Sequence, residues 1–495
     1  AILSTGGTFK ILRDNRIPAV EISQYTGFPE MLDGRVKTLH PKIYAGLLAR
    51  RDDKDHQAAL EEHEIPPIDM VVVNLYPFEA AVSRTGVSID EAIENIDIGG
   101  PSLIRAAAKN HSHVAVVTDV ADYPRIQQTL EASGGELPAE LLKELAVKAY
   151  THTARYDNLI SKWFRRTYDL DDPEDKMLTL QFQWVDKLRY GENPHQHAAV
   201  YRDLSGPDLC VATAEKLNGK ALSYNNLLDA DAALNLLREF VDPAAVVIKH
   251  NNPCGAGSDP DSLVAAFNKA YEGDPLSAYG SVVGLNWKVT SEVAAAIAQP
   301  GRFVELILAP EFDDDALEIL KTRQKWGKNV RILATGPLPP MQTLPYRELR
   351  SITGGLLVQD KDIELFGGEL RIVTGRKPDA GELSNLQFAW RLVKHGRSNS
   401  IAIARDNMLT GLGAGQMSRV DATRIAIEKS GARTQGAVLA SDAFFPFRDS
   451  IDEIAAAGIS AVIQPGGSIR DKEVIQAAND NDIAMVFTGL RHFRH

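Results

Sequence analysis

The sequence predicts an α/β protein whose first domain contains a mainly parallel sheet. Short apolar runs, such as those within residues 69–79 and 113–119, have the length of buried strands. Stretches with helical apolar spacing, such as residues 139–163, alternate with these runs, and this alternation is typical of α/β domains. The chain has 495 residues, which is too many for one hydrophobic core, so we expect two or three domains.

Composition limits the classes of function. The formal net charge of −12 argues against general binding of nucleic acids, which requires a basic face. An anionic substrate would therefore need locally clustered Lys, Arg and backbone N–H groups. No apolar run is long enough to cross a membrane. The two cysteines, Cys210 and Cys254, exclude a disulfide scaffold and a four-cysteine zinc site, and they suit a cytoplasmic location.

The first residues predict a strand, a tight turn at Gly6 and Gly7, and then a helix. Backbone N–H groups at such a turn can bind an anion where they lead into a helix N-terminus. Thr5 and Thr8 flank the glycines. A lone glycine pair is more often only part of a helix cap, so phosphate binding here is one of two interpretations.

Cationic side chains follow in residues 26–51. Arg35 and Lys37 are two positions apart, so an extended backbone would direct both side chains to one face. Pro41 argues against a long helix through this segment. Cations that converge near the glycine turn would suit a phosphate group.

Polar residues recur at the predicted strand ends of the first domain. Asp97 precedes a glycine pair and a helix on which Arg105 and Lys109 share one face. Each such residue alone is typical of a surface or a cap. Together they predict a compact proton-transfer set around a phosphate pocket. The set consists of Lys37, Asn74, Tyr76, Asp97 and Lys109.

Two segments divide the rest of the chain. Residues 164–179 are charged and lack apolar periodicity, which predicts a domain boundary. Residues 336–354 are rich in proline and predict a connection between two lobes of the second domain.

The segment AVVIKHNNPCGAG, residues 245–257, carries a Lys-His pair in the second domain. Its apolar start predicts a buried parallel strand, and Lys249 and His250 would follow at the carboxyl end, before a Pro/Gly loop. Such a position suits catalytic groups, but Lys and His also serve as ordinary strand caps. The residues of this segment alone leave the two interpretations about equal.

Four further segments also have two interpretations each. A second Lys-His pair at 394–395 precedes a strand and would be a weak repeat of the first pair, which would suit two related lobes. The glycines of residues 411–419 predict phosphate binding or close packing. The aromatic cluster at 444–447 predicts a stacked heterocycle or the edge of a core. The basic terminus at 491–495 would occupy a site or be frayed.

Ten motifs occur in an order that resembles the PurH family of bifunctional purine-biosynthesis enzymes. They are GRVKTLHPK, NLYPF, ENIDIGGPSLIRAAAKN, LRYGENPHQ, LSYNNLLDADAA, IKHNNPCG, GAGQMSR, SDAFFPFRD, QPGGSIRD and RHFRH. The resemblance implies an IMP cyclohydrolase domain at residues 1–168 with a fold like that of methylglyoxal synthase. It also implies an AICAR transformylase domain at residues 178–495, made of two cytidine-deaminase-like lobes at 178–335 and 350–495.

The resemblance implies two consecutive reactions. A formyl group would pass from the co-substrate 10-formyltetrahydrofolate to the 5-amino group of AICAR, giving FAICAR and tetrahydrofolate. FAICAR would then close to IMP with loss of water. The family also implies a homodimer that shares the transformylase site between subunits, and it leaves dependence on a monovalent cation open.

The resemblance also implies roles for individual residues. The transformylase catalytic residues would be Lys249, His250 and Asn399, and those of the cyclohydrolase would be Lys37, Tyr76, Asp97 and Lys109. Substrate contacts in the first domain would be Thr5, Gly7, Thr8, Arg35, Thr38, Asn74, Gly99 and Gly100. Substrate contacts in the second domain would be Arg189, Tyr190, Gly280, Arg419, Phe444, Asp449, Arg491 and His495.

Two alternatives are tested by the same motifs. A zinc deaminase would need H-x-E and P-C-x-x-C, and neither pattern is present, so we expect no zinc and assign no metal ligands. A first domain that only binds phosphate would not need the predicted proton-transfer set. Family members also carry roughly thirty residues before this start, with further phosphate contacts, so we expect an incomplete phosphate site here.

Overall fold

A computed structural model describes residues 1–84, 86–170, 177–204, 209–339 and 347–495. These residues form two compact units, Ala1–Gln181 and Phe182–His495. Part of the predicted boundary segment, 171–176, and part of the Pro-rich connection, 340–346, lie outside the described residues. No helix within the described ranges is long and apolar enough to cross a membrane.

The first unit alternates short parallel strand pairs with helices, in agreement with the predicted α/β class. Its strands are β1 (Leu3–Ser4), β2 (Val20–Glu21), β3 (Met70–Val72) and β4 (Ala115–Val117), with β1 parallel to β2 and β3 parallel to β4. Its helices are α1 (Gly6–Asp14), α2 (Ile22–Thr26), α3 (Pro41–Leu48), α4 (Lys54–Glu62), α5 (Phe78–Val82), α6 (Ile89–Glu94), α7 (Gly99–Lys109), α8 (Tyr123–Ser133) and α9 (Ala139–Thr167). The buried core joins α3, α7, β4 and α9 through Leu47, Ile104, Val116 and Leu145.

The second unit is built on one large mixed sheet. Its strands are β5 (Phe182–Lys187), β6 (Ala199–Asp203), β7 (Glu215–Asn218), β8 (Ala244–Lys249), β9 (Asn252–Ser258), β10 (Ser281–Leu285), β11 (Val304–Ala309), β12 (Arg331–Ala334), β13 (Arg347–Ile352), β14 (Gly355–Asp360), β15 (Arg371–Ile372), β16 (Ile401–Arg405), β17 (Met408–Gly413), β18 (Val438–Ser441), β19 (Ala461–Gln464) and β20 (Ala484–Phe487). Its helices are α10 (Tyr224–Leu237), α11 (Leu263–Glu272), α12 (Pro275–Ala278), α13 (Ser291–Ile297), α14 (Asp314–Thr322), α15 (Ala380–His395), α16 (Arg419–Ser430), α17 (Asp449–Ala456) and α18 (Asp471–Asp480).

The large sheet consists of two halves with the same topology. Its 12 strands run in the order β15-β20-β19-β18-β16-β17-β9-β8-β10-β11-β12-β7. Each half has an antiparallel hairpin at the centre, β8–β9 or β16–β17, followed outward by three parallel strands. The halves meet where β9 pairs with β17. We call the half from β7 to β12 the first lobe and the half from β15 to β20 the second lobe.

The sequence predicted a parallel strand before the Lys-His pair, and this prediction is wrong. β8 is antiparallel to both of its neighbours, β9 and β10. The predicted Pro/Gly loop is strand β9, and the turn consists only of His250 and Asn251, at φ 53° and φ 60°. The matching turn of the second lobe is Asp406-Asn407, at φ 55° and φ 51°. The prediction that residues 394–395 repeat the first Lys-His pair is therefore wrong, because the second pair ends helix α15.

Glycines allow a helix to lie close against each central hairpin. A Cβ at Gly255 would overlap the carbonyl oxygen of Ala270 on α11, and one at Gly413 would overlap that of Ala422 on α16. Gly411 approaches α16 in the same way. Of the two interpretations of residues 411–419, this contact supports close packing for the glycines of β17.

Candidate active sites

The β8–β9 hairpin holds the Lys-His pair at a turn with a fixed backbone. Lys249 Nζ donates a hydrogen bond to the carbonyl oxygen of Tyr279 at 2.9 Å. The N–H of Asn251 donates to Asp229 Oδ1 at 2.7 Å, which ties the turn to helix α10. Burial raises the pKa of the Asp229 carboxyl. The His250 side chain itself is exposed, so its ring is free to meet a substrate.

Asn252 links this turn to the loop that carries Asn399. It lies opposite Lys249 in the hairpin, and its Nδ2 donates to the carbonyl oxygen of His250 at 3.1 Å. Its Oδ1 accepts a hydrogen bond from the N–H of Arg397 at 3.0 Å. The structure thus brings Lys249 and His250 of the first lobe near Asn399 of the second.

Arg419 holds the Asn399 side chain and is itself buried. Its Nη2 donates to Asn399 Oδ1 at 2.6 Å, and its Nη1 donates to Ser441 Oγ at 2.7 Å and to Asp442 Oδ1 at 2.5 Å. The side chains of Arg419 and Asp442 are 6% and 0% exposed. The sequence predicted Arg419 as a substrate contact, but its hydrogen bonds go to protein groups. Its geometry favours a positioning role through Asn399.

The basic C-terminus packs into the same region and is not frayed. Ser398 Oγ donates to Asp442 Oδ2 at 2.6 Å, and the N–H of Arg494 donates to Ser398 Oγ at 3.0 Å. The N–H of His492 donates to the carbonyl oxygen of Asp442 at 2.9 Å. Asp442 therefore anchors both the Asn399 loop and the terminus. Sequence reasoning missed its role, although it lies inside the SDAFFPFRD motif.

Other predicted contacts of the second unit lie at exposed or half-exposed positions. The Arg491 guanidinium lies over the Phe493 ring at 4.6 Å, and the ring of His495 lies 5.7 Å from that of Phe493. Phe444 is partly exposed, whereas its neighbour Phe445 is buried in the core. Asp449 is the first residue of α17.

Arg189 and Tyr190 line a cavity of about 330 Å³ in the second unit. The Arg189 guanidinium lies over the Tyr190 ring at 5.3 Å. Phe303 also lines this cavity, and its carbonyl oxygen accepts a hydrogen bond from the N–H of Gly280 at 2.8 Å. Gly280 has φ 74°, a conformation that favours glycine. Three predicted contacts thus lie in or beside one cavity.

In the first unit, four predicted residues meet at the N-terminus of α7. Asp97 Oδ1 accepts a hydrogen bond from the N–H of Gly100 at 2.8 Å. A Cβ on Gly99 would lie 2.8 Å from Thr38 Oγ1, so Thr38 is in close contact with this helix start. The N–H of Asp97 donates to Tyr156 Oη at 2.7 Å, a contact on α9 that sequence reasoning missed. A helix start favours an anion, and here the Asp97 carboxylate already takes the N–H of Gly100.

The rest of the predicted first-domain set is less compact than expected. Lys109 ends α7, which places it about 15 Å along the helix axis from the Asp97 end. Arg35 has helical rather than extended backbone angles and pairs with Glu94, whereas Lys37 Nζ lies 3.3 Å from Glu30 Oε1. The predicted shared face of Arg35 and Lys37 therefore fails.

The remaining predicted residues of this unit lie at its surface or at the start of α1. Thr5 is the residue before α1, and its side chain makes no capping hydrogen bond to the helix. The exposed positions are Gly7, Thr8, Asn74 and Tyr76.

The second Lys-His pair forms a buried cluster with Glu239. Lys394 Nζ lies 2.9 Å and His395 Nε2 lies 3.2 Å from Glu239 Oε1. Burial lowers the pKa of His395 to about 4, so the ring is neutral near pH 7. Burial alone would raise the pKa of Glu239, but the hydrogen bonds and charges of His395 and Lys394 outweigh it and lower that pKa to about 2. The cluster joins α15 to the chain just after α10 and is structural.

The described ranges contain no group of three or more His, Cys, Asp and Glu side chains that could hold a metal ion. Burial, the largest effect, raises the pKa of the Cys254 thiol to about 12. A thiol that stays protonated is a poor metal ligand.

Two family models match successive parts of the chain, and the boundary between the two matches lies inside the first unit. The family model described as AICARFT/IMPCHase bienzyme matches residues 107–429, and the model of an MGS-like domain matches residues 1–102. The chain is 51% identical over 510 residues to the bifunctional purine biosynthesis protein PurH of Magnetococcus marinus, covering 100% of this chain and 94% of the relative. It is also 51% identical over 496 residues to the protein of the same name from Anoxybacillus flavithermus, with the same coverage.

Among solved structures, one titled "Crystal structure of ForH" is 34% identical. The alignment covers 33% of this chain and 83% of that one, with a TM-score of 0.31, which is too low to bear on the fold.

We predict that His395 makes the second unit less stable in acid. The unfolded chain binds a proton near pH 6.5, but the folded chain does not until about pH 4, so the free energy of unfolding should fall by about 3 kcal/mol between these values. Glu239 adds a further loss below its unfolded pKa of 4.5. Urea unfolding followed by tryptophan fluorescence, to which the buried Trp390 contributes, measures this change.

The His395→Gln variant is the matched control for this prediction. It keeps an N–H donor for Glu239 but cannot titrate, so its stability should be flat between about pH 6.5 and pH 5. Equal pH dependence in the wild type and this variant would contradict the account.

Proposed function

The chain belongs to the AICARFT/IMPCHase bienzyme family, and on this premise we propose which residues carry out its two reactions. It is a bifunctional enzyme of purine biosynthesis that acts as an AICAR transformylase and an IMP cyclohydrolase. We assign cyclohydrolysis to the first unit, which carries the MGS-like match, and formyl transfer to the second.

The contact that carries the transformylase assignment is the Asn252 link between the His250 turn and the Asn399 loop. The 5-amino group of AICAR is a poor nucleophile because its lone pair is delocalised into the imidazole ring. It therefore needs a proton acceptor as it attacks, and the exposed His250 ring supplies one. The Lys249 ammonium stabilises the oxyanion that forms on the formyl oxygen as the amine attacks the formyl carbon. Asn399, held by Arg419, orients the formyl group.

The transfer is balanced without any further reactant. A bond forms between the amine nitrogen and the formyl carbon of 10-formyltetrahydrofolate, giving a tetrahedral intermediate. That intermediate then collapses as the bond from the formyl carbon to N10 breaks. The proton taken by His250 goes to N10, so that FAICAR and tetrahydrofolate are released.

For ring closure we propose the start of helix α7 as the reacting region. The carboxamide nitrogen of FAICAR would attack its own formyl carbon, and water would leave. Asp97, Tyr76 and Lys37 would move the protons. The N–H group at Gly99, with Thr38, would bind an oxygen of the substrate, while Gly100 keeps Asp97 in place. Thr5, Gly7, Thr8 and Arg35 would hold the phosphate.

One observation favours a second candidate for the first unit. Lys109 lies about 15 Å along α7 from the Asp97 end, so one chain does not assemble the full proton-transfer set. A phosphate-binding module without catalysis would explain that separation. Purified FAICAR separates the two candidates, because only the cyclohydrolase converts it to IMP.

We also propose that the protein acts as a homodimer in the cytoplasm. The hairpin β13–β14 exposes Ile352, Leu356, Leu357 and Val358, and apolar side chains on an open two-strand edge favour pairing with another copy. Both cysteines are free thiols, which suits a reducing compartment. Sedimentation at assay concentration should give twice the chain mass, and a monomer that is fully active would contradict the dimer.

We predict that His250→Ala lowers the rate of formyl transfer to AICAR by roughly 10²- to 10⁴-fold. The proton acceptor is lost, whereas the exposed position predicts an unchanged fold. The measurement follows FAICAR and tetrahydrofolate as they form from AICAR and 10-formyltetrahydrofolate. Conversion of FAICAR to IMP by the same preparation shows that the first unit is intact.

Asp406→Ala is the matched control, because Asp406 occupies the same turn position in the second lobe. Its formyl-transfer rate should equal that of the wild type. Near-normal turnover by His250→Ala would contradict the catalytic role, and an equal loss in Asp406→Ala would show that the effect is not specific to His250.

A further inference from the structure

The position of the Lys249 ammonium depends on a single contact. In the described part of the chain, its Nζ makes one side-chain hydrogen bond, to the carbonyl oxygen of Tyr279. A lysine side chain has four rotatable bonds, so this carbonyl decides where its charge lies. Whatever fixes Tyr279 therefore also fixes Lys249.

Tyr279 follows directly after α12, a helix of one turn. A helix this short is not stable by itself and needs outside contacts. Asp274 supplies one of them, because its Oδ1 accepts from the N–H of Ser277 at 3.0 Å and its Oδ2 from the Ser277 hydroxyl at 2.7 Å. On the other side, the N–H of Gly280 donates to the carbonyl oxygen of Phe303.

Two cations of the second lobe hold the start of this segment. Lys429 Nζ, on α16, lies 2.9 Å from Asp274 Oδ2. Arg433 donates to the carbonyl oxygens of Glu272 at 3.0 Å and Gly273 at 2.8 Å. Burial alone would raise the pKa of Asp274, but the hydrogen bonds from Lys429 and Ser277 outweigh it and lower that pKa. The carboxylate is thus charged and paired across the lobes.

We propose that Lys429 is a positioning residue for formyl transfer. It holds Asp274, Asp274 holds helix α12, and α12 places the Tyr279 carbonyl that orients the Lys249 ammonium toward the developing oxyanion. This inference rests on the role proposed for Lys249. It assigns to the second lobe a part in the chemistry of the first, at a side chain that touches no substrate.

The test is the Lys429→Met variant, which keeps the aliphatic stem and removes the charge. We expect kcat for formyl transfer to fall about tenfold or more, because a displaced ammonium loses an interaction made mainly in the transition state. KM for AICAR should change less than about threefold. Lys429→Arg should restore most of kcat, since an arginine can still pair with Asp274.

Lys288→Met is the matched control. Lys288 pairs with Glu311 and Asp313, and its side chain is 45% exposed, close to the 42% of Lys429. Its kcat should equal that of the wild type. Asp274→Asn provides a second variant, which keeps the hydrogen bond from the N–H of Ser277 but removes the ion pair, and it should show the same loss of kcat.

The outcomes separate this inference from the proposed function. If the wild type forms no FAICAR, the proposed function fails. If the wild type is active and Lys429→Met matches Lys288→Met in kcat, the positioning role of Lys429 is overturned. A loss that appears equally in the conversion of FAICAR to IMP would show a general defect and would overturn the inference as well.

Discussion

The pairing of β9 with β17 is the constraint on which the second unit depends. Gly257 lies opposite Met408, and the N–H of Ser258 donates to the carbonyl oxygen of Asn407 at 3.0 Å. This contact makes one continuous sheet from two lobes. Since each central strand also packs against a helix through glycines, larger residues there would push the helices away from the sheet. At the other end of β9, Asn252 accepts a hydrogen bond from the N–H of Arg397 and so links the candidate site residues of the two lobes.

The two lobes carry different side chains on central hairpins of the same backbone conformation. The turns at 250–251 and 406–407 have the same backbone conformation, but one carries a histidine and the other an aspartate. Lys249 donates to the carbonyl oxygen of Tyr279, and Arg405 donates likewise to that of Gln435 at 3.0 Å. The two lobes thus share the scaffold, and the proposed proton acceptor and oxyanion-stabilising cation both lie on the hairpin of the first.

The sequence could predict which segments are buried but not always what lies beside them. The apolar run at 245–248 correctly indicated a core strand, yet nothing in it specifies an antiparallel partner. Pro253 and the glycines after it predicted a loop. The local sequence could not show that these glycines lie in a strand beside a helix, because that contact involves residues farther along the chain. A positive φ at His250 is unusual for such a residue and follows from the two-residue turn. Likewise, Lys394 and His395 look like a reactive pair until the distant Glu239 is found beside them.

For the candidate sites too, the sequence predicted residues but not the partners that hold them. Motifs supplied Lys249, His250 and Asn399, but only the structure shows Asp442 and Arg419 holding Asn399 in place. The predicted compact set of the first domain joined Asp97 to Lys109, but the length of α7 separates them. We propose that both lobes contribute residues to one transformylase site. A double-mutant cycle of Lys249→Met and Asn399→Ala, measured as kcat/KM for formyl transfer, tests it most directly. We predict a coupling of about 1 kcal/mol or more, and losses that add to within about 0.3 kcal/mol would contradict a shared site.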